Sequence, residues 1–306
     1  MRSIFFGTSA FAVPSLHALA DATECALVVT QPDRPSGRGQ KLHPTPVKRA
    51  ARERGLATLE PQRLRESEAD LRAAAADVFV VASYGKIVPQ AILDLPPSGA
   101  LNVHPSLLTL YRGATPLQSQ IRDGVVESGI TIIWMDAGMD TGDIALAERS
   151  PIGARETYGA LHDRFATLGA TALGRALREL QMGTLRRSPQ CQAGIAGERI
   201  AATLTRPLHA TDLLLDWTMP ANDVVNKVRS LAPAPGAKAL LEAGQERPYK
   251  ILEARVASAE DLALDPRQVS GPIVPCGGAE FVVLECLVPP DRRAMSGREF
   301  LQWRRT

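Results

Sequence analysis

Short apolar runs alternate with amphipathic helical patterns through the first half of this sequence, and this alternation constrains the fold more than any other feature. The runs are rich in Val, Ile and Phe and have the length of buried strands: SIFF, CALVVTQ, VFVVAS, ALNVH and ITIIWMD. Helical patterns lie between them, near residues 11–19, 45–54, 66–75 and 116–122. Such alternation predicts βαβ units, and therefore an α/β fold with a doubly wound, Rossmann-like parallel sheet.

The pattern changes after one long helical stretch over residues 157–181. Little periodicity follows, and a second unit with one helical pattern and several short strand-like runs begins near Leu208. Short strands separated by turn signals favour a small barrel or sandwich. We therefore predict a first domain over residues 1–189, a linker over 190–207 and a second domain over 208–306.

Composition excludes several classes of protein. The 306 residues are 45% hydrophobic and 22% charged with a formal net charge of +2, which is ordinary for a soluble globular protein. The four cysteines are far apart and form no C-x-x-C pair, so a reducing compartment fits best. Polar residues and Pro14 interrupt the apolar amino-terminal stretch, and no segment approaches the ~20 apolar residues of a membrane span. We predict a cytoplasmic protein with no membrane partner.

The segment ALNVHPSLL places Asn102 and His104 two residues apart. Residues i and i+2 of a strand point to the same face, so the amide and the imidazole would project together. Pro105 cannot donate to a sheet ladder, so the strand is expected to end at His104. Ligands of open α/β sheets bind beyond the carboxyl ends of strands, where this pair would lie.

The segment MDAGMDTGDI follows the strand-like run GITIIW and contains three aspartates. A calcium or magnesium loop is one interpretation, but Gly138 stands where an EF-hand needs an oxygen ligand, and we predict no metal. A second interpretation is a tight structural turn. A third is a turn that places one carboxylate next to His104. An Asp–His pair beside an amide suits acyl transfer by direct attack of an amine, since no nucleophile elbow is present. The first strand lacks a G-x-G-x-x-G loop, so no dinucleotide is implied.

Residues 31–55 combine a glycine- and proline-rich loop with a basic helical pattern. Thr45 is a candidate N-cap, Pro46 would occupy the first helical position, and Gly55 would follow the helix. The charges are typical of a solvated helix face. Arg38, which has glycines on both sides, instead favours contact with phosphate or an RNA backbone.

Four segments together resemble the methionyl-tRNA formyltransferase family, within the wider folate-dependent formyltransferases: TQPDRPSGRGQKLHPTPVK, NVHPSLL, YRGATP and GITIIWMDAGMDTGDI. The resemblance covers nearly the whole chain and implies a catalytic first domain followed by an oligonucleotide-binding (OB)-type β-barrel that holds transfer RNA. It implies an enzyme of translation initiation that transfers a formyl group from 10-formyltetrahydrofolate to the amino group of initiator methionyl-tRNA. Neither a metal nor a nicotinamide is implied, and we expect a monomer.

The resemblance also implies roles for individual residues. Asn102 and His104 would stabilise the oxyanion, and Asp140 would pair with His104 and assist proton movement. Arg38, with Arg34 and Lys41, would contact the transfer RNA. The folate co-substrate would lie against eight residues: Tyr84, Gly85, Ile87, Val88, Ser106, Leu107, Leu108 and Thr109.

Two other functions stay open on the sequence. One is formylation of a small amine, such as an amino-sugar nucleotide or glycinamide ribonucleotide. The other is a non-catalytic RNA-binding module that uses the basic loop and the second domain. Substitution of Asn102 or His104 separates these classes, because a binding module would lose nothing.

Overall fold

A computed structural model describes residues 1–36, 41–241, 245–264 and 268–304 of the chain. The chain divides into two compact units. Unit 1 contains Met1–Gly113, Ser128–Pro151 and His162–Leu204, and unit 2 contains Ala114–Glu127, Ile152–Leu161 and Thr205–Thr306. The predicted limits of the domains and the linker stay a prediction.

Unit 1 is built on a seven-stranded sheet in the order β5-β2-β1-β6-β7-β8-β9. Its strands are β1 (Arg2–Gly7), β2 (Glu24–Val29), β5 (Thr58–Leu59), β6 (Val78–Ala82), β7 (Ala100–His104), β8 (Glu127–Trp134) and β9 (Ile144–Pro151). The pairs β5–β2, β2–β1, β1–β6 and β6–β7 are parallel, whereas β8 runs antiparallel to β7. The predicted Rossmann-like fold class is therefore confirmed for this unit.

The strand order reverses between β1 and β6, and the polypeptide beyond these two strands is tied together there. The backbone N–H of Thr8 donates to Ser83 O (3.1 Å), and the Thr8 hydroxyl donates to Tyr84 O (2.7 Å). Beneath this point the aromatic rings of Phe6 and Phe79 lie 5.2 Å apart in a buried cluster. A reversal of this kind creates the crevice in which doubly wound sheets bind ligands.

The helices of the described residues agree with most of the helical patterns. They are α1 (Val13–Ala22), α2 (Pro46–Glu53), α3 (Glu68–Ala73), α4 (Gln90–Leu93), α5 (Pro116–Arg122), α6 (Tyr158–Gln181), α7 (Gly197–Ala202), α8 (Ala221–Leu231), α9 (Ala259–Ala263) and α10 (Gly297–Trp303). Helix α2 begins as expected, because the Thr45 hydroxyl accepts from the Lys48 N–H at 3.1 Å and Pro46 occupies the first turn. Gly55, just beyond the helix, has φ +67°.

The basic loop contains a short hairpin that the sequence did not predict. Strands β3 (Arg34–Ser36) and β4 (Lys41–His43) pair antiparallel, with Pro35 opposite Leu42. The two strands have three residues each, RPS and KLH, too few to show strand periodicity, so they are recognised from their pairing.

Unit 2 contains a five-stranded sheet that is antiparallel, in keeping with the predicted second domain. Its strands are β10 (Ala237–Ala239), β11 (Tyr249–Val256), β12 (Ile273–Pro275), β13 (Phe281–Val288) and β14 (Met295–Ser296). The order is β10-β11-β13-β12, with β14 paired to β13. Phe300 of α10 is fully buried in its core, with the Tyr249 ring 5.2 Å away edge-to-face. Across the described ranges of both units, no helix has the length and apolar character needed to cross a lipid bilayer.

Candidate active site

Strand β7 carries Asn102 and His104 to the edge of the sheet where the chain leaves it. The strand ends at His104, directly before Pro105, as the sequence predicts. Asn102 is half-buried, and His104 is only 4% exposed. Because the two residues are i and i+2 on one strand, their side chains project from the same face.

Two aspartates of the loop between β8 and β9, Asp136 and Asp140, have different structural roles. Asp136 Oδ1 accepts from the Gly138 N–H (3.0 Å) and from the Thr141 hydroxyl (2.7 Å), so Asp136 shapes the turn. A Cβ on Gly142 would lie 1.7 Å from Trp134 O, so only glycine fits there. Asp140 has a left-handed backbone with φ +56°, a conformation that Asp adopts more readily than most residues. The turn therefore presents the Asp140 carboxylate rather than that of Asp136.

The carboxylate of Asp140 contacts Asn102, His104 and a backbone amide. Its Oδ2 lies 3.5 Å from His104 Nδ1 and accepts from the Gly113 N–H at 2.8 Å. Its Oδ1 lies 3.4 Å from the Asn102 amide nitrogen, which donates to it. The structure thus brings the three candidate catalytic residues into one cluster.

The position of one ring hydrogen of His104 follows from its second neighbour. His104 Nε2 lies 3.0 Å from the carbonyl oxygen of Tyr111, which can only accept a hydrogen bond. Nε2 therefore carries a hydrogen in this arrangement, and Nδ1 faces Asp140. A second ring proton, between Nδ1 and Asp140, would make the ring an imidazolium, a positive charge held against a carboxylate. Such a pair can stabilise a developing negative charge and can accept or return one proton.

The segment from Tyr84 to Val88 is held by its backbone. Tyr84 O accepts from the Gln31 side-chain amide at 2.8 Å as well as from Thr8. Gly85 has φ +77°, and a Cβ there would lie 2.6 Å from Gln31 Nε2, so a larger residue would displace this support. Ile87 is 82% exposed, whereas Val88 is buried.

The side chain of Thr131 holds the segment from Ser106 to Thr109 in place. The Thr131 hydroxyl donates to Ser106 O (2.6 Å) and accepts from the Leu108 N–H (3.1 Å). The Ser106 hydroxyl is fully buried and donates to Leu110 O at 2.7 Å. Leu107 is half-buried, and Leu108 and Thr109 are buried. The Ser106 hydroxyl is therefore occupied by a hydrogen bond to the backbone. Leu107, Leu108 and Thr109 form the rest of this segment.

Two buried hydroxyls of these segments have no hydrogen-bond partner among the described residues. They are Tyr84 Oη and Thr109 Oγ1, on residues that are each 2% exposed. Burial raises the pKa of Tyr84 to about 12, so its phenol keeps its proton at neutral pH. Buried polar groups nearly always have partners, but both of these oxygens are closed to solvent, so a ligand would reach them only after these segments moved. Among the described residues a third such atom, Ser15 Oγ, lies on α1 instead.

The predicted RNA-contacting residues cannot be placed in the same detail. Arg38 lies outside the described residues, and so do the side chains of Arg34 and Lys41. At the base of this hairpin, Lys48 Nζ lies 2.8 Å from both Asp33 Oδ1 and Glu60 Oε2. Hydrogen bonds to Asp33 and then to Glu60 raise the pKa of Lys48, whose side chain is 6% exposed. Lys48 therefore anchors the hairpin instead of adding to a solvated basic face.

Sequence reasoning missed the residues that join the loops of the site. The sequence predicts that Gln190 begins a linker, yet its side chain is buried and bonds to Arg112 and to the Asp140 loop. The segment YRGATP pointed to Arg112 and Gly113 only as part of a resemblance. Gln190 has no local signal, because a single glutamine in an aperiodic segment is indistinguishable from a surface residue. Among the described residues, no group of three or more His, Cys, Asp or Glu side chains could hold a metal ion.

Comparison with known proteins places this geometry in a class. Residues 1–177 match the family described as formyl transferase, and residues 207–305 match the formyl transferase C-terminal domain. The chain is 42% identical to the methionyl-tRNA formyltransferase of Aromatoleum aromaticum over 99% of this chain and 94% of that one. It is 41% identical to the enzyme of that name from Halorhodospira halophila, over 99% and 96% of the two chains. The chain therefore belongs to the methionyl-tRNA formyltransferase family.

Solved structures share the fold at low sequence identity. An N-formyltransferase from Helicobacter canadensis, in complex with folinic acid and dTDP-3-aminofucose, superposes with a TM-score of 0.65 at 16% identity. The match covers 92% of this chain and 98% of that one. A glycinamide ribonucleotide transformylase from Symbiobacterium toebii superposes with a TM-score of 0.51 at 23% identity. The match covers 62% of this chain and 91% of that one. These two structures support the fold class of the chain.

Proposed function

We propose that this protein is an enzyme that transfers the formyl group of 10-formyltetrahydrofolate to the amino group of initiator methionyl-tRNA, producing N-formylmethionyl-tRNA. The single observation that carries this proposal is similarity to methionyl-tRNA formyltransferases along 99% of the chain. The cluster formed by Asn102, His104 and Asp140 supports it, because it offers groups that acyl transfer to an amine requires.

The folate co-substrate, when bound, supplies an activated formyl group. Eight residues would hold it: Tyr84, Gly85, Ile87, Val88, Ser106, Leu107, Leu108 and Thr109. A ligand with ring nitrogens and carbonyl groups would bond to Tyr84 Oη and Thr109 Oγ1 only once these two segments open, because both atoms are closed to solvent. Both segments follow strands β6 and β7 at their carboxyl ends, where doubly wound sheets bind ligands.

Asn102 and His104 would stabilise the negative charge that develops on the formyl oxygen. The Asn102 amide has two hydrogens, and only one is directed at Asp140, so the second can donate to that oxygen. An imidazolium at His104 would act through its positive charge in a buried environment, where electrostatic interactions are strong. Preformed donors of this kind need no reorganisation during the reaction.

Asp140 would hold the imidazolium, take up the proton that the attacking amine must lose, and return it to the folate nitrogen whose bond to the formyl carbon breaks. The Gly113 N–H fixes the carboxylate in place at 2.8 Å. A free α-amino group has a pKa of ~8, so roughly a fifth of it is already neutral near pH 7.4 and no strong base is required. Positioning two substrates and stabilising the oxyanion are therefore the main tasks of the site.

The RNA side of the proposal rests on the basic loop and the second domain. Arg38, Arg34 and Lys41 would contact the acceptor end of the transfer RNA, where their charges neutralise phosphates. The OB-type domain, taken as residues 208–306, would bind the remainder of the RNA. We further propose a cytoplasmic monomer, because relatives named for a transfer-RNA reaction support that location and one chain supplies the whole Asn102–His104–Asp140 cluster. Sedimentation equilibrium tests the monomer directly.

A formyl-transfer assay with 10-formyltetrahydrofolate and three acceptors tests the function. The acceptors are initiator methionyl-tRNA, an amino-sugar nucleotide and glycinamide ribonucleotide. We expect transfer to the charged RNA alone. Transfer to a small amine alone would keep the chemistry of His104 and contradict the RNA assignment, and no transfer to any acceptor would refute the enzyme.

A further inference from the structure

Gln190 bonds to the backbone of the loop that carries Asp140. It lies in a short 3-10 turn, Gln190–Ala193, and is 6% exposed. Its side-chain nitrogen donates to Asp140 O at 2.9 Å and to Gly142 O at 2.7 Å. The two hydrogens of one amide group thus hold the carbonyls on either side of Thr141.

The oxygen of the same amide reaches the other loop of the site. Gln190 Oε1 accepts from Arg112 Nη2 (2.6 Å) and Nε (3.2 Å). Arg112 lies between Tyr111, whose carbonyl meets His104 Nε2, and Gly113, whose N–H meets Asp140 Oδ2. Gln190 therefore ties together the two loops whose backbone atoms surround the His104–Asp140 pair.

We propose that Gln190 is a positioning residue for the formyl transfer, and that it sets the Asp140 carboxylate against His104. The proposal rests on the function proposed above. Gln190 lies between residues 1–177 and 207–305, the segments matched by the two formyl transferase families. Asp140 is in a left-handed conformation outside the sheet ladder, so its placement depends on bonds from other segments. Neutral amide chemistry is required at position 190, because a carboxylate has no hydrogens for the two carbonyls.

Single-turnover and steady-state kinetics of Gln190→Met and Gln190→Glu test this role. Both side chains approximate the size of glutamine; methionine removes all its hydrogen bonds, and glutamate keeps only the acceptor for Arg112. We expect both variants to lower kcat by about 10- to 100-fold, the effect of a misplacement near 1 Å, with KM for methionyl-tRNA within about twofold of the wild-type value. Gln181→Met is the matched control, because Gln181 is exposed and, among the described residues, its side chain donates to Ala22 O alone.

An Asp140→Asn background separates positioning from general support of the fold. If Gln190 acts through Asp140, Gln190→Met costs less than about twofold in that background, since interacting residues are non-additive. An equal loss in both backgrounds, a kcat like that of the wild type, or failure of both variants to fold by circular dichroism would overturn the proposal. A wild-type protein without formyl transfer would instead contradict the proposed function itself.

Discussion

Asp140 determines the geometry of the site at the scale of single residues. It accepts from the Gly113 N–H and the Asn102 amide, and it lies against His104. Its left-handed backbone restricts the position to residues such as Asp, Asn or Gly. The carboxylate is therefore specified both by its contacts and by the conformation of the turn that carries it.

Removing the Tyr84 hydroxyl separates stability from ligand binding. In Tyr84→Phe the free energy of unfolding without ligand is expected to be unchanged or slightly higher, because the hydroxyl has no partner among the described residues. The KM for the formyl donor is expected to rise by about 5- to 10-fold, the worth of one hydrogen bond. Thermal melting and donor titration measure the two effects. A large loss of stability with an unchanged KM would contradict a folate contact.

The same residue gives a pH prediction. Burial raises the pKa of Tyr84 to about 12 in the folded protein, whereas an unfolded tyrosine titrates near pH ~10. The unfolded state therefore loses its proton first, and the stability contributed by Tyr84 is lost as the pH rises through this window. Denaturant titrations at successive alkaline pH values should show a smaller loss in Tyr84→Phe than in the wild type. Parallel curves for the two proteins would contradict the burial of an unpartnered phenol.

At the scale of elements, helix α2 holds the base of the β3–β4 hairpin through Lys48. Its ammonium group lies between Asp33, just before β3, and Glu60, just after β5. This ion triad links the start of the hairpin to α2 and to the segment after β5, neither of which shares a sheet ladder with the hairpin. The orientation of the basic loop thus depends on one buried cation.

Replacing that cation should destabilise the protein. We expect Lys48→Met to lower the free energy of unfolding by about 2 kcal/mol, below the value for a fully buried pair because Asp33 and Glu60 stay partly exposed. Arg49→Met, one residue further on α2 and exposed, is the control and should change little. Adding Asp33→Asn and Glu60→Gln should restore part of the loss. Equal effects of the two single variants in urea titrations would argue against the triad.

The elements also show how far the sequence alone could lead. The buried strands β1, β6 and β7 and the capped helix α2 were predictable, because apolar runs and capping residues are local signals. The edge strand β9 and the hairpin β3–β4 were not, since polar residues hide the strand pattern in the first and the strands of the second are too short to show one. Asn102 and His104 could be paired from strand periodicity. Gln190 could not be connected to Asp140, because 50 residues and no repeat separate them.

At the scale of the whole molecule, the proposed function requires that RNA contacts and formyl chemistry be separable. The basic loop and the second domain are predicted to bind the RNA, whereas Asn102, His104 and Asp140 lie together at the edge of the first sheet. Binding of the formyl donor should therefore be independent of the charges in the loop.

Arg38→Ala tests this separation. We expect KM for methionyl-tRNA to rise and the slope of log KM against log salt to fall by about 1, as for the loss of one phosphate contact. The KM for the formyl donor should not change. Arg52→Ala, an exposed arginine on α2, is the matched control. An unchanged dependence on RNA concentration would contradict the assignment of the loop.

The most direct test of the account is the single-turnover rate of formyl transfer to methionyl-tRNA by His104→Ala. We predict a rate lower by about 10²- to 10⁴-fold, the range for loss of a charged or proton-transferring group, with melting behaviour close to that of the wild type. His17→Ala, a half-buried histidine on α1, should retain the wild-type rate. A wild-type rate in folded His104→Ala would contradict the claim that the Asn102–His104–Asp140 cluster performs the reaction.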